Sequence, residues 1–322
     1  MLGRSGLRVS PLCLGSAWFG VAPLAADVDE LVSAALDGGI NFFDTASSYG
    51  NQARFDRTGA PPAAQRESAE ELLGRALRGR RDDIVLASKV GERVDPDVDD
   101  AGVSRAQVER SLERSLRRLG TSHLDLYYVH HPDPRTRIDD MVETFDRLID
   151  RGLIRHWALS NFTGRESVDA HLTAGRRGGR PPVAQQVYYN LVRRSAERDL
   201  LPALDRCGQP VIAYSGLAGG LLGGAQRARR PLAGPARVGR PSYSAALLDV
   251  ADRLQGLADR TGCQPAGLAL RWLLTRPGVA ATVVGPESGR ELADLIAAVR
   301  QPMPADLLSA VDALTSPGAD QG

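Results

Sequence analysis

The sequence predicts an α/β fold of the (β/α)8 TIM-barrel class, and three observations carry that prediction. Short apolar runs alternate with amphipathic helical stretches almost from end to end of the 322 residues. The runs are continuously apolar rather than alternating, as strands of a parallel sheet are when both faces are covered. Eight such units in a chain of this length fit a closed barrel, which runs as one domain at this size. The rival, an open doubly wound sheet, needs G-x-G-x-x-G directly after a strand, and that sequence does not occur. A phosphate loop ending in Gly-Lys-Ser/Thr is also missing. One domain over 1–322 is expected, without a linker or any repeat beyond the β/α unit.

The elements follow in order. The first strand is read over 11–14, and the helix over 28–37 stops at Gly38-Gly39, as helices stop at C-terminal glycines. The second strand, 40–43, leads into a polar insertion, 51–67, and then a helix over 69–77. After the third strand, 84–88, Ser104 with Gln107 three residues on forms a capping box. It opens a helix over 105–119 that ends at Gly120. The fourth strand, 124–129, and the helix 141–151 close on Gly152. The fifth strand and helix are read over 155–159 and 166–172, the sixth over 183–187 and 197–205. The seventh strand, 211–213, precedes a Gly/Arg/Pro-rich stretch, 217–244, and two helices, 246–260 and 266–274. The eighth strand, 281–284, is followed by a helix over 290–299. Both irregular stretches follow strands, so they should form long loops at the C-terminal face, where barrel active sites are built.

Composition excludes several function classes. Basic and acidic residues nearly cancel, 40 against 39, leaving no electrostatic footprint for nucleic acid or an anionic membrane. No apolar run is long enough to span a bilayer, and the opening MLGRSGLRVS has no apolar signal core. Cys13, Cys207 and Cys263 are widely spaced and form no disulfide or metal pattern, which fits a reducing cytoplasmic setting. No feature assigns an oligomeric state. Of the 40 basic residues only Lys89 is lysine. Coding bias in a GC-rich genome accounts for the arginines but not for the exception. Arginine carries a broad planar head, whereas lysine is a compact ammonium that can sit beside a phenol.

Polar residues just past the strand ends form a coherent set. The second strand delivers Asp44 with Tyr49 five residues on, the third Lys89, the fourth His130 and His131, the fifth Ser160 and Asn161, the seventh Tyr214 and Ser215. Each alone has a bland reading: a loop cap, a half-buried aromatic, a solvated lysine, a satisfied strand-end histidine. Convergence decides, because adjacent strands bring a carboxylate, a phenol, an amine and an imidazole to one rim. Hydride delivery to a carbonyl carbon leaves an alkoxide that needs a proton. A free phenol titrates near 10, roughly three units too high for efficient donation near neutrality. Those units amount to ~4 kcal/mol, comparable to one charge about 4 Å away at an effective dielectric near 20. Lys89 beside Tyr49 is expected to supply it, with Asp44 holding Lys89 and His130 bonding the substrate oxygen. No metal is expected, since His130 and His131 point to opposite faces if the strand persists.

The segments FFDTASSYG, LASKVG, LDLYYVHHPDP, ALSNF and AYSGLAGGLLGG, in this order and spacing, resemble the signature segments of the aldo-keto reductase superfamily. LGRSGLRVSPLCLG is similar to that family's short N-terminal β-hairpin, and the resemblance covers nearly the whole chain. It implies an oxidoreductase of aldehydes or ketones that binds NADP(H) across the C-terminal rim. It also implies the tetrad Asp44, Tyr49, Lys89 and His130, with Tyr49 as acid/base and His131 at a variable position. Ser160, Asn161 and Gln186 would bond the nicotinamide carboxamide, and Tyr214 would stack on its ring. Ser215, Leu217 and Gly219 would begin the loop over the pyrophosphate, with charge from Arg227, Arg229, Arg230, Arg237 and Arg240. The family usually has Pro where this chain has Gly216, a change expected to loosen the loop. Gly285, Ser288, Arg290 and Asp294 fall at the adenosine end. The family often has a basic residue or glutamine at Glu291 and asparagine at Leu295. Ser288 and Arg290 suit a 2′-phosphate, whereas Glu287 or Glu291 would repel it or accept from a free ribose. NADP(H) is the expectation and NAD(H) the alternative. The pocket for a small carbonyl substrate is expected to include Trp18, Phe19 and His131. Two other readings are a non-catalytic subunit like the potassium-channel β-subunits, against which the short termini argue, and an enzyme acting on a keto sugar or a secondary metabolite, including an NAD-dependent sugar dehydrogenase.

Overall fold

Strand backbones need partners on both sides, and a sheet with no exposed edge has to close on itself. Here eight parallel strands pair in chain order and the eighth returns to the first. The protein is described by a computed structural model over residues 1–94, 101–224, 243–318 and 320. The strands are β1 (Leu12–Gly15), β2 (Phe42–Asp44), β3 (Val85–Val90), β4 (Leu124–Val129), β5 (Ile154–Ser160), β6 (Gln185–Tyr188), β7 (Val211–Tyr214) and β8 (Val279–Val284). Around them lie α1 (Val28–Asp37), α2 (Ala69–Ala76), α3 (Arg105–Leu119), α4 (Ile138–Asp150) and α5 (Gly164–Arg176). The layer continues with α6 (Leu200–Arg206), α7 (Ala245–Thr261), α8 (Pro265–Leu274) and α9 (Gly289–Arg300). This is the (β/α)8 barrel that the sequence predicts.

The two-residue period of a strand sorts its side chains between the barrel interior and the helix layer. Phe42, Ala87, Leu126, Tyr128, Ala158 and Ile212 share the inner cluster. Leu86, Val90, Tyr127 and Leu159 pack outward with the helices. Both sets are apolar, so the strands read as continuous runs. Where the inner positions reach the C-terminal rim they turn polar, which puts Asp44 and Lys89 inside. Ser88 faces outward and donates to Glu70 of α2 at 2.7 Å. Glu70 is fully buried and also meets Arg118 of α3, which in turn donates to the Ser47 carbonyl at 3.1 Å. Helices, strand and the loop carrying Tyr49 are thereby tied together beneath the rim.

Two elements differ from the sequence reading. The expected N-terminal hairpin is a single turn, in which the Leu2 N–H donates to the Leu7 carbonyl at 2.8 Å and no strand pairing follows. The backbone there is satisfied by Asn41 instead, which accepts from the Ser10 N–H and donates to the Arg8 carbonyl, both at 2.7 Å. Leu2 is buried in the inner cluster. One further helix among the described residues, α10 (Ala305–Asp312), was not expected. Its Asp312 accepts from Trp272 Nε1 at 2.8 Å and pairs with Arg194 and Arg276 at 3.1 Å.

Candidate active site

Lys89 is fully buried on β3 and its ammonium makes a short contact with Asp44 Oδ1 at the end of β2. It also donates to the Thr45 carbonyl at 2.9 Å, and Gln186 Nε2 donates to the other Asp44 oxygen at 2.9 Å. The rings of Tyr49 and Tyr128 flank it, 4.8 and 5.7 Å from the ammonium. Burial works against the charge on Lys89, yet Asp44 and then Tyr49 hold its pKa above the ordinary value. The fully buried slot between two rings suits a compact ammonium.

Tyr49 comes from the loop after β2, where its carbonyl accepts from the Ala69 N–H at 3.0 Å. Gly50 follows with φ 86°, and a Cβ there would lie 2.7 Å from the Ala69 nitrogen. Only glycine allows that approach. The Tyr49 ring sits edge-on to Phe55 and His130, with centroids at 6.1 and 5.7 Å. Its hydroxyl lies 3.4 Å from His130 Nε2. Burial pushes the Tyr49 phenol up; Lys89 pulls the other way, as expected, but does not outweigh burial, and Asp44 adds to the rise. Burial and then Lys89 push the His130 imidazole down to about 3, so it is neutral near pH 7.

His130 and His131 do not diverge as the sequence reading supposes. β4 ends at Val129, the alternation stops with it, and the two imidazoles stack at 4.7 Å with 12° between their planes. Both face Glu92, whose Oε1 lies 3.1 Å from His131 Nε2 and 3.7 Å from His130 Nδ1. Ser48 donates to the other carboxylate oxygen at 2.5 Å, and Arg54 touches it. Burial raises the Glu92 pKa, but His131, His130, Arg54 and Ser48 together hold it well below the usual carboxylate range. Glu92 has no signature in sequence.

A cavity of about 820 Å³ runs across the rim, within the range of small-molecule sites. Trp18, Tyr49, His130 and His131 line one end. Ser160, Asn161, Gln186 and Tyr214 line the floor, followed by Ser215, Leu217, Gly219 and Gly285. Asn161 is held at φ 63° by bonds to the His130 carbonyl at 2.9 Å and from Tyr214 at 2.8 Å. Ser215 at φ 56° and Ala218 at φ 47° add two more left-handed non-glycine residues on the wall. Such conformations persist where the surroundings over-determine them, often at binding sites. Besides the fully buried Lys89, four expected residues do not line the cavity. Phe19 packs in the outer core at 1% exposure, leaving Trp18 to face in, edge-on to Phe55. Ser288 caps α9 by accepting the Glu291 N–H, and Arg290 and Asp294 are exposed. Glu287, just ahead of α9, lines the wall instead, with Glu291 and Leu295, which lie four apart on one face of that helix.

The model of the aldo/keto reductase family matches residues 11–316. The chain belongs to that family. As an aldo/keto reductase it is an NAD(P)H-dependent oxidoreductase. It is 36% identical to a protein named uncharacterized oxidoreductase YrpG from Bacillus subtilis, over 99% of this chain and 96% of that one. It is 30% identical to a probable voltage-gated potassium channel subunit beta from Oryza sativa, over 91% of this chain and 88% of that one. A protein of the same description from Arabidopsis thaliana is also 30% identical, over 92% and 90%.

Three further features of this aldo/keto reductase were not anticipated. The Tyr188 ring stacks on Tyr214 at 5.2 Å, with the Arg193 guanidinium 4.5 Å over it. Arg57, from the insertion after β2, reaches across to Glu287 at 3.2 Å. Gly216 is closely packed rather than loose, since a Cβ there would lie 2.8 Å from Thr282 Oγ1 and 3.0 Å from Leu270. The expected basic residues Arg227, Arg229, Arg230, Arg237 and Arg240 lie outside the described residues.

Proposed function

We propose that this aldo/keto reductase reduces an aldehyde or ketone to an alcohol, with Tyr49 as the proton donor. One observation carries the reading: a buried, charge-compensated Lys89–Asp44 pair beneath the Tyr49 ring, with neutral His130 3.4 Å from the phenol oxygen. The cavity suits an extended dinucleotide, with paired amide and hydroxyl groups on its floor, an aromatic face at Tyr214 and a backbone-lined wall at Ser215, Leu217 and Gly219. A reduced nicotinamide bound there supplies the hydride. The carbonyl oxygen lies between Tyr49 Oη and His130 Nε2–H. Both stabilise the negative charge as it develops. An alkoxide is a much stronger base than a phenolate, so the proton passes from Tyr49 Oη to it even with a raised phenol pKa. Lys89 stabilises the phenolate that remains, and Asp44 holds Lys89 in place. Ser160, Asn161 and Gln186 orient the carboxamide. Trp18 and His131 shape the entrance for a small carbonyl compound, a keto sugar or secondary-metabolite carbonyl included. We read 1–322 as one such unit acting in the cytoplasm, without nucleic acid or membrane as partner.

Of the two cofactors, NAD(H) fits the α9 end of the cavity better than the NADP(H) expected from sequence. Glu287 and Glu291 face the cavity, Arg57 on that wall is engaged by Glu287, and Arg290 faces solvent. A 2′-phosphate would meet carboxylates, while a ribose hydroxyl can donate to them. Reduced-cofactor consumption against a panel of aldehydes, ketones and keto sugars tests both points, with Tyr49→Phe as control. NADH should give the higher kcat/KM and the variant should be nearly inactive. Equal activity of wild type and variant would sink the mechanism, and a tenfold preference for NADPH would restore the sequence expectation. A second reading is motivated by the relatives named as potassium channel β-subunits: a cofactor-binding subunit. Tight cofactor binding with no turnover across the panel would favour it.

A further inference from the structure

We propose that Glu92, His130 and His131 form a binding site for a divalent cation of the zinc class at the mouth of the cavity, and that its occupation shuts the enzyme off. The two imidazole nitrogens and one carboxylate oxygen all lie within 4.8 Å of one another. Two of the three separations are 3.1 and 3.7 Å, both measured to Glu92 Oε1. Ligands at zinc bond lengths of about 2.0–2.1 Å in a tetrahedron are roughly 3.3 Å apart, so the site closes with shifts of an ångström or so.

The arrangement is held by the sheet. Val90 of β3 pairs with Val129 of β4, and the His130 N–H continues the ladder to the Val90 carbonyl at 2.8 Å. The next residues of both strands therefore meet at the rim, where Gly91 at φ 125° turns the chain into Glu92. The carboxylate is divided in its contacts. Oε2 accepts from Ser48, which fixes its orientation as an outer partner of a metal ligand does, and also meets Arg54, while Oε1 is aimed between the two imidazoles. In the tautomer that donates from Nε2 toward the reacting oxygen, His130 Nδ1 presents a lone pair to Glu92 Oε1. Two lone pairs then face each other across 3.7 Å, an unfavourable pairing that a cation relieves. Two histidines and one carboxylate, with His131 half exposed and so leaving room for a solvent ligand in the fourth position, suit zinc and its neighbours better than calcium or magnesium. Arg54 opposes binding by its charge. It is 41% exposed on a loop, so it can swing away.

The inhibitory consequence rests on the role proposed above for His130. Drawing Nδ1 toward Glu92 turns Nε2 away from Tyr49, whose hydroxyl is already 3.4 Å off. The same shift draws His131, which lines the cavity beside His130, toward Glu92.

The test uses chelator-stripped full-length protein. Zn2+ binding is followed by calorimetry, and Co2+ binding by the visible absorption of a four-coordinate ion. One equivalent should bind saturably. His131→Ala and Glu92→Gln should each weaken binding about tenfold or more, and Arg54→Gln should tighten it. Circular dichroism checks that each variant folds. No saturable binding, or binding unchanged by both ligand variants, overturns the site. Zn2+ should also inhibit carbonyl reduction by wild type over the concentrations at which it binds. Binding without inhibition would leave the cation site standing and overturn its regulatory role, along with the placement of His130 at the reacting oxygen.

Discussion

Replacing Lys89 tests the centre of the site through stability as well as rate. In Lys89→Met the side-chain volume is nearly kept but the charge is lost. Asp44, 2% exposed, keeps the Gln186 amide and loses the ammonium, and the Thr45 carbonyl loses its donor. Breaking a buried pair on one side costs about 3–5 kcal/mol, which is roughly a 10²–10³·⁵-fold rise in the unfolding constant. Adding Asp44→Asn removes the uncompensated charge. The double variant should recover much of that cost, because losing both partners is far cheaper than losing one. Lys89→Arg keeps the charge and overfills a slot bounded by the Tyr49 and Tyr128 rings, at about 1–3 kcal/mol. All three proteins should lose carbonyl reduction. Reversible urea unfolding, read by fluorescence and fitted with a common slope, measures the free energies. A Lys89→Met protein within about 1 kcal/mol of wild type, or a double variant no more stable than the single, would refute the buried-pair account.

Three further outcomes follow from single side chains. The folded value of about 3 for His130 lies below the ordinary 6.5, so between these the unfolded chain binds the extra proton and stability falls as pH falls. Going from pH 7.5 to 5.5, wild type should lose about 1.4 kcal/mol more than His130→Asn, and parallel pH profiles would contradict this. Glu291→Arg replaces a carboxylate on the cavity wall by a guanidinium, and the ratio of kcat/KM for NADPH over NADH should rise by about tenfold, one charge-assisted contact. Gly50→Ala forces a Cβ to 2.7 Å from the Ala69 nitrogen at φ 86°, and should cost about 1–3 kcal/mol and shift Tyr49, seen as a lower kcat with unchanged cofactor affinity.

The barrel was legible because its strands are covered on both faces. Leu86 and Ala87 point in opposite directions and both need to be apolar, so the run is visible without knowing which face is which. The strand-end residues were legible for the same reason: a polar residue closing an apolar run marks the rim. What failed depended on phase. Side chains alternate only while a strand continues, and β4 stops at Val129, so His130 and His131 are not driven to opposite faces. At α9, adjacent positions differ by about 100° around the axis. Glu291 and Leu295 share the cavity wall while their neighbours Arg290 and Asp294 face solvent, a choice that depends on how the helix is seated against the barrel. Of Trp18 and Phe19, both expected in the pocket, only Trp18 faces it, while Phe19 one residue on packs into the core. Glu92 was missed because a charged loop residue carries no periodicity. Only the approach of β3 and β4 brings it to the histidines.

The Tyr49 phenol sharpens what the lone lysine contributes. Counting charges along the sequence gives the sign of the Lys89 effect but omits burial, and burial is the larger influence on Tyr49. Lys89 offsets only part of that burial in the resting phenol. Its larger effect comes afterwards, when a phenolate on the ring 4.8 Å from the ammonium would otherwise stand without compensation. Stabilisation that appears only as charge develops lowers the barrier, whereas stabilisation already present in the resting state does not. A resting phenol that keeps its proton, above an ammonium that awaits the phenolate, satisfies that condition better than a phenol already half ionised. Reduction should accordingly hold level through neutral pH and decline only in the alkaline range, where Tyr49 begins to lose its proton.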